Sequence, residues 1–409
     1  MMLFRLAARN LRRNIRRTII TTGAMSFALA VMIFFTGFLD GYLGEFEHNI
    51  TALNLSMIQI HHPDYRDDPS IYHTIDDTPE LLARLEEAGY RVAPRMYSYG
   101  LAAAEDQSAG VVIRGVDTLR EPRVTELFRH ISIGRFLSAT DSIPDNKGVV
   151  IGRKLARTLN VDPGDEVVIV SQAADGSIAN DLFYVSGILK GVSETIDRSG
   201  FFITQAAFME LMGAGDDAHQ IAVMPPQGMS LEQATAEVSA LAVGMETLNW
   251  RELAPDAAEM LDISRISMFL LYLIAYAAIG LVILNAMLMA VFERIREFGI
   301  MKALGVRPAQ VWWIVNAEAL FQTLIAIVVG TALGLPITWY FSRFGMDMSF
   351  IASGAVFSGI ALDPVITPVI TRSTVLNPAL FLAAMVWIAV IYPGLKAAVI
   401  RPVKAIYYR

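Results

Sequence analysis

The chain has 409 residues, 54% hydrophobic and 18% charged, with a net charge of -7 and no cysteine. That balance lacks the basic footprint of a nucleic-acid binder and excludes disulfides, iron–sulfur clusters and thiolate zinc sites. The apolar residues gather into four uncharged runs with the charge collected between them, the pattern of an integral membrane protein.

In chain order, residues 1–17 carry Arg5, Arg9, Arg12, Arg13, Arg16 and Arg17 with no acid among them, and read as an amphipathic entry helix. The first span follows at 18–39. Ala28-Leu29-Ala30 resembles a signal-peptide cleavage site, but the apolar run continues through Phe35, so the segment reads as an uncleaved anchor. Asp40, Glu45 and Glu47 come directly after it. Residues 40–265 read as a large mixed α/β domain inserted between spans one and two, with helical stalks at 40–49 and 256–265. Strand character is evident at 55–60, 110–114, 148–151 and 166–170, and a short helix at 154–160. Pro163-Gly164-Asp165 and Asp175-Gly176 are turn signals. His61, His62, Asp64, Asp67, Asp68 and His73 are metal-ligand types, but Pro63, Pro69 and Ser70 make this stretch a polar surface loop. No catalytic motif and no phosphate-binding loop stands out, so ATP hydrolysis, if it drives this protein, belongs to another chain.

Span two covers 266–292, a connecting segment 293–311, span three 312–342, an outer loop 343–372, span four 373–396 and a basic tail 397–409. Asn377-Pro378 reads as the cap and first turn of the fourth helix. The basic residues of 1–17, of 293–311 and of the tail place both termini and the connecting segment in the cytoplasm, with 40–265 and 343–372 outside. Gly330 and Gly334 lie one turn apart in span three, a small-residue surface for close helix packing, within one subunit or across a dimer seam. Glu318, near the cytoplasmic end beside Trp312 and Trp313, reads as snorkelling to the interface.

The connecting segment interleaves charge with Ile295, Phe298, Ile300, Met301 and Leu304 and ends at Gly305, a short amphipathic helix suited to a membrane surface or a partner's groove. Its run from Glu293 to Gly305 resembles the coupling helix of type VII ABC transporter permeases, which include the macrolide-exporter (MacB) type, FtsX-like cell-division permeases and lipoprotein-releasing (LolC/LolE) permeases. Three further stretches resemble the same family: Ala8 to Thr18; Gly134-Arg135-Phe136-Leu137 followed by Val149 to Gly152 and Pro163-Gly164-Asp165; and Pro393 to Ala398 with Arg401 to Ala405. Gly187-Ile188-Leu189, Asp197 and Phe201 to Thr204, with Gly345 to Ser349, lean toward the lipoprotein-releasing branch.

The resemblance implies a non-enzymatic permease subunit of the bacterial inner membrane that moves lipoproteins, or a similar amphiphile, by mechanotransmission. It implies a cytoplasmic ABC ATPase dimer carrying ATP and Mg, a second permease copy or paralogue, a periplasmic lipoprotein carrier and contact with membrane lipids. Glu293, Arg296, Glu297 and Lys302 would make the polar contacts to the ATPase, Phe298 and Met301 would fill its groove, and Gly305 and Arg307 would end the docking segment. An FtsX-like signalling subunit acting on a cell-wall hydrolase is the alternative, and a sensor or adhesin without an ATPase is a third.

Overall fold

The computed structural model describes residues 15–143, 146–347, 356–357, 360–361 and 365–401. The expected entry helix up to residue 14, most of the outer loop and the end of the tail lie outside the described residues. The chain divides into two compact units, one of residues 45–259 with 351–364, the other of residues 1–44, 260–350 and 365–409.

The first unit is built on one mixed sheet. Its strands are β1 (Ile58–His61), β2 (Arg91–Ala104), β3 (Gln107–Val116), β4 (Ile131–Gly134), β5 (Ser142–Ile143), β6 (Asn146–Ile151), β7 (Glu166–Gln172), β8 (Ile178–Leu189), β9 (Gly200–Thr204), β10 (Gln220–Met224) and β11 (Glu246–Asn249). The order is β11-β1-β10-β2-β3-β9-β6-β8-β4, with β5 on β6 and β7 bridging β2 and β8. Among the described residues, only β3–β9 and β6–β8 pair in parallel.

The 14-residue strand β2 runs through two lobes, each with its own core. Its first half pairs with β10 beneath the helices Thr78–Glu87 and Leu231–Leu241, whose Leu81, Leu82, Leu85, Ala234 and Val238 recur at helical spacing and pack on Ile58, Ile60 and Ile221. Its second half pairs with β3 and β7 over a core of Ile113, Ile169, Phe183, Phe201 and Phe208. A bidentate ion pair, Arg95 Nε and Nη2 to Glu121 at 3.1 and 2.7 Å, is almost wholly buried. Thr125 Oγ1 donates to the same carboxylate at 2.9 Å. The Gly134–Leu137 stretch is held by Arg135, whose guanidinium donates twice to buried Asp141 at 2.7 and 2.6 Å.

Among the described residues, four helices are long and apolar enough to cross a membrane, and the second unit holds most of each. We label these α1 (Ile15–Ile50), α2 (Pro255–Glu293), α4 (Pro308–Phe344) and α5 (Arg372–Val399), with α3 (Ile295–Ala303) between α2 and α4. At about 1.5 Å per residue, α1, α2 and α4 each exceed 50 Å, against a bilayer core of about 30 Å. Each therefore continues beyond its apolar run. One stripe of each helix meets in a shared core that includes Leu29 and Ile33 of α1, Ile283 and Met287 of α2, Val315 of α4 and Val386 of α5. The remaining faces expose Leu270, Ile274, Val328, Leu333, Trp387 and other large apolar side chains, an arrangement suited to lipid.

The fourth helix differs from expectation. It begins at Arg372, capped by Thr371, whose Oγ1 accepts from the Thr374 N–H at 3.2 Å. Pro378 therefore sits inside the helix rather than in its first turn. The Thr371 cap starts the helix ahead of Asn377, so the amides that follow Asn377 already lie inside it, and a membrane helix tolerates the interior proline. Short pairs Met346–Asp347 with Val365–Ile366, and Val356–Phe357 with Ile360–Ala361, lie between α4 and α5 in the chain.

Candidate functional site

The junction from α2 through α3 to α4 is built around one buried arginine. Arg294 is the single residue that breaks the helix between α2 and α3, with φ -109° and ψ 16°. Its side chain is only 7% exposed. Nη1 donates to Glu318 of α4 at 2.7 Å and Nε donates to Glu297 at 3.1 Å. The guanidinium also stacks over Phe298, 5.4 Å from the ring centroid. Glu318 is thus a buried partner in an ion pair, which corrects the reading that it snorkels to an interface. A buried carboxylate without such a partner would be strongly unfavourable.

Helix α3 turns one face inward. Ile295 and Phe298 are 5% and 1% exposed, and Phe298 belongs to the core shared with Met287, Val311, Val390 and Ala397. Met301 packs half-buried against the same core. The Lys302 ammonium donates to the Ala398 and Ile400 carbonyls, the latter at 2.7 Å, and so closes the end of α5. Burial holds this lysine below its usual range. The helix ends in a Schellman motif: Val306 N–H donates to Met301 O and Gly305 N–H to Lys302 O, both at 3.0 Å. Gly305 takes φ +94°, a backbone conformation that a side chain would strain. Arg307 then caps α4, its N–H donating to the Gln310 side chain at 2.9 Å, with Pro308 in the first turn.

These contacts redistribute the residues expected to form a docking surface. Phe298, Met301 and Lys302 make contacts within the chain, Phe298 fully buried and the other two half-buried. Glu297 is half-buried on Arg294. Glu293, Arg296, Gly305 and Arg307 remain on the exposed side, where Ile300 and Leu304 join them at 52% and 81% exposure. The four-residue spacing of Arg296, Ile300 and Leu304 puts them on one helical face, opposite Phe298, and that spacing was the available signal.

Gly330 and Gly334 face α1 of the same chain. A Cβ on Gly330 would lie 2.8 Å from the Ser26 carbonyl oxygen, and one on Gly334 would lie 2.9 Å from Ala30 Cα. Their small surface is therefore occupied by packing within one subunit. In the sheet domain, the histidines do not converge. His61 is 4% exposed with Nε2 on Gln59 at 3.0 Å, whereas His62 stacks on His73. No group of three or more potential ligands is placed to hold a metal among the described residues.

Two family profiles cover most of the chain. Residues 18–241 match the MacB-like periplasmic core domain, and residues 269–401 match the FtsX-like permease C-terminal. The chain belongs to the MacB/FtsX/LolC superfamily of type VII ABC permeases. This permease is 21% identical over 324 residues to the lipoprotein-releasing system transmembrane protein LolC of Neisseria meningitidis, covering 77% of both chains. It is 23% identical over 335 residues to LolC of Xylella fastidiosa, again with 77% of each covered. The macrolide export ATP-binding/permease protein MacB of Nitrobacter winogradskyi is 30% identical over 248 residues, which are 57% of this permease and 37% of that protein. The periplasmic region of MacB from Actinobacillus actinomycetemcomitans aligns with 49% of this permease and 91% of that chain at 16% identity, with a TM-score of 0.36.

Proposed function

We propose that this permease is one subunit of an ATP-driven transporter that extracts or releases lipoproteins, or a similar amphiphile, from the outer leaflet of a bacterial inner membrane. The observation that carries this reading is the attachment of α3. Arg294 ties its start to α4, Phe298 buries its middle in the helical core, and Lys302 ties its end to α5. A force applied to the exposed face of α3 is therefore delivered to three membrane helices at once. Mechanical transmission, rather than a conduit, is the work such a wiring performs.

In this reading both termini and the 293–311 segment are cytoplasmic, and the sheet domain lies outside. A separate ABC ATPase dimer, carrying its ATP and Mg, docks on Arg296, Ile300 and Leu304. A second permease copy or a paralogue completes the membrane assembly, and a periplasmic carrier receives the cargo. The two LolC relatives, matched along three quarters of their length, support the lipoprotein as cargo.

The deciding experiment is a gentle-detergent pull-down of the tagged full chain with identification of bound proteins. Recovery of an ABC ATPase with a lipidated protein is the expected result. An ATPase with a wall hydrolase would instead favour an FtsX-like signalling subunit, a reading supported by the match over 269–401. Recovery of no ATPase, even with non-hydrolysable nucleotide, would overturn both.

A further inference from the structure

Among the described residues, a cavity of about 280 Å³ opens between α1, α2 and α5, at the ends of these helices nearest the sheet domain in the sequence. Its lining mixes chemistry that a lipid-facing surface does not otherwise need. Asp40 and Arg265 contribute one acid and one base, both exposed. Ser373 and Asn377 of α5 add polar side chains. Deeper in, Tyr276 is 2% exposed, and its buried hydroxyl has no hydrogen-bond partner. A buried hydroxyl left unsatisfied is unfavourable, so this position favours a polar occupant. Phe269, Tyr272 and Phe381 add aromatic walls, with Phe381 stacked on Tyr276 at 5.4 Å.

We propose that this cavity binds the head group of a zwitterionic, amine-bearing phospholipid of the phosphatidylethanolamine type, taken from the surrounding leaflet. Opposite charges in one small cavity select a ligand that carries both signs. The phosphate takes donors from Arg265, whose guanidinium also lies in a loose ion pair with Asp262 at 4.0 Å. The ammonium donates to Asp40. A purely anionic head group brings like charge against Asp40, and a purely cationic one brings like charge against Arg265, so the two side chains discriminate by repulsion as well as by attraction. At about 280 Å³ the cavity falls just below the size range of ligand pockets, roughly 300–1,000 Å³. It therefore holds a head group and leaves both acyl chains outside, where Phe269, Leu270 and Leu273 present exposed apolar surface. This inference goes beyond the transport reading and stands whichever cargo or partner that reading acquires.

The test uses the full chain, purified in mild detergent and stripped of lipid, with thermal unfolding followed during titration by short-chain phosphatidylethanolamine or phosphatidylglycerol. The expected result is at least tenfold tighter binding of the ethanolamine lipid. Asp40→Asn should abolish that preference, and Arg265→Gln should weaken both lipids about tenfold. Asn377→Ala, a change at an exposed position of α5, gives a second variant should either charge change disturb folding, and should weaken the ethanolamine lipid several-fold. Equal binding of the two lipids by the unmodified chain would mean non-selective annular contact and would overturn the proposal. So would an ethanolamine preference that survives both charge substitutions.

Discussion

At the scale of single residues, the Arg294–Glu318 pair is the group whose loss should be most expensive. Each partner is about 6% exposed, and removing one leaves the other charge buried. Breaking such a pair costs about 3–5 kcal/mol. Glu318→Ala should therefore lower the thermal midpoint of the detergent-solubilised protein markedly, whereas Glu318→Gln, which keeps an acceptor for Nη1, should lower it less. Equal midpoints for both variants and the unmodified chain would remove this pair from the account. In the sheet domain His61 makes a pH prediction. Burial, helped by the neighbouring charges of Arg66 and Arg95, pushes its imidazole down to about 4 from an ordinary value near 6.5. The unfolded chain thus binds a proton that the folded domain refuses between those two values. His61 favours folding fully above about pH 6.5, and this contribution is lost as the pH falls toward 4. His219, also held low by burial, acts in the same direction. Thermal midpoints measured from pH 7 to pH 4 should fall, and His61→Gln should flatten the slope.

At the scale of elements, α3 has two faces with different work. Phe298→Ala empties a core position and should cost about 3–5 kcal/mol of stability whether or not an ATPase is present. Ile300→Asp combined with Leu304→Asp changes only exposed positions, and should leave the midpoint within a degree or two while abolishing recovery of the ATPase. The reverse pattern in a pull-down and melting series would reassign the docking face. The glycine contacts of α4 admit a similarly sharp test. Gly334→Val places side-chain atoms where Ala30 of α1 already stands, so α1 and α4 must separate. A lowered midpoint is expected, with little change for Gly23→Ala in α1, where the added carbon meets open space.

At the scale of the molecule, the continuous helices matter most. Helix α1 is unbroken from Ile15 to Ile50 and α2 from Pro255 to Glu293, so each passes from one compact unit of the chain into the other. A helix transmits displacement along its axis as long as its hydrogen bonds persist. Gly44→Pro removes one of those bonds and crowds the carbonyl four residues back. Nothing lies within 4 Å of the position a Gly44 side chain would take, so packing is not confounded. In the proposed transporter this variant should retain ATP hydrolysis but lose cargo release in proteoliposomes, and Gly44→Ala should retain both. Release by the proline variant at the unmodified rate would refute transmission through α1. Because the natural chain has no cysteine, single replacements such as Leu304→Cys and Ile178→Cys report the topology cleanly through impermeant labelling from each side.

The sequence by itself determined what depends on local pattern. Four uncharged runs longer than a bilayer core dictate four helices, because lipid offers no partner to an open backbone. The amphipathic spacing of 295–304 dictates a short helix, and Gly305 its end. Strands β3, β6 and β7 were legible from β-branched runs flanked by turn residues. The tertiary structure decided which face of each element is used. Both faces of α3 carry apolar side chains, so the burial of Phe298 and the exposure of Ile300 and Leu304 became apparent only once α4 and α5 were in place. A charge 24 residues from its partner leaves no periodic trace, and for that reason the local pattern around Glu318 is that of an interfacial acid, whereas the fold sets Arg294 beside it. The same holds for Gly330 and Gly334: their spacing announces close packing, but only the fold names α1 as the helix that approaches.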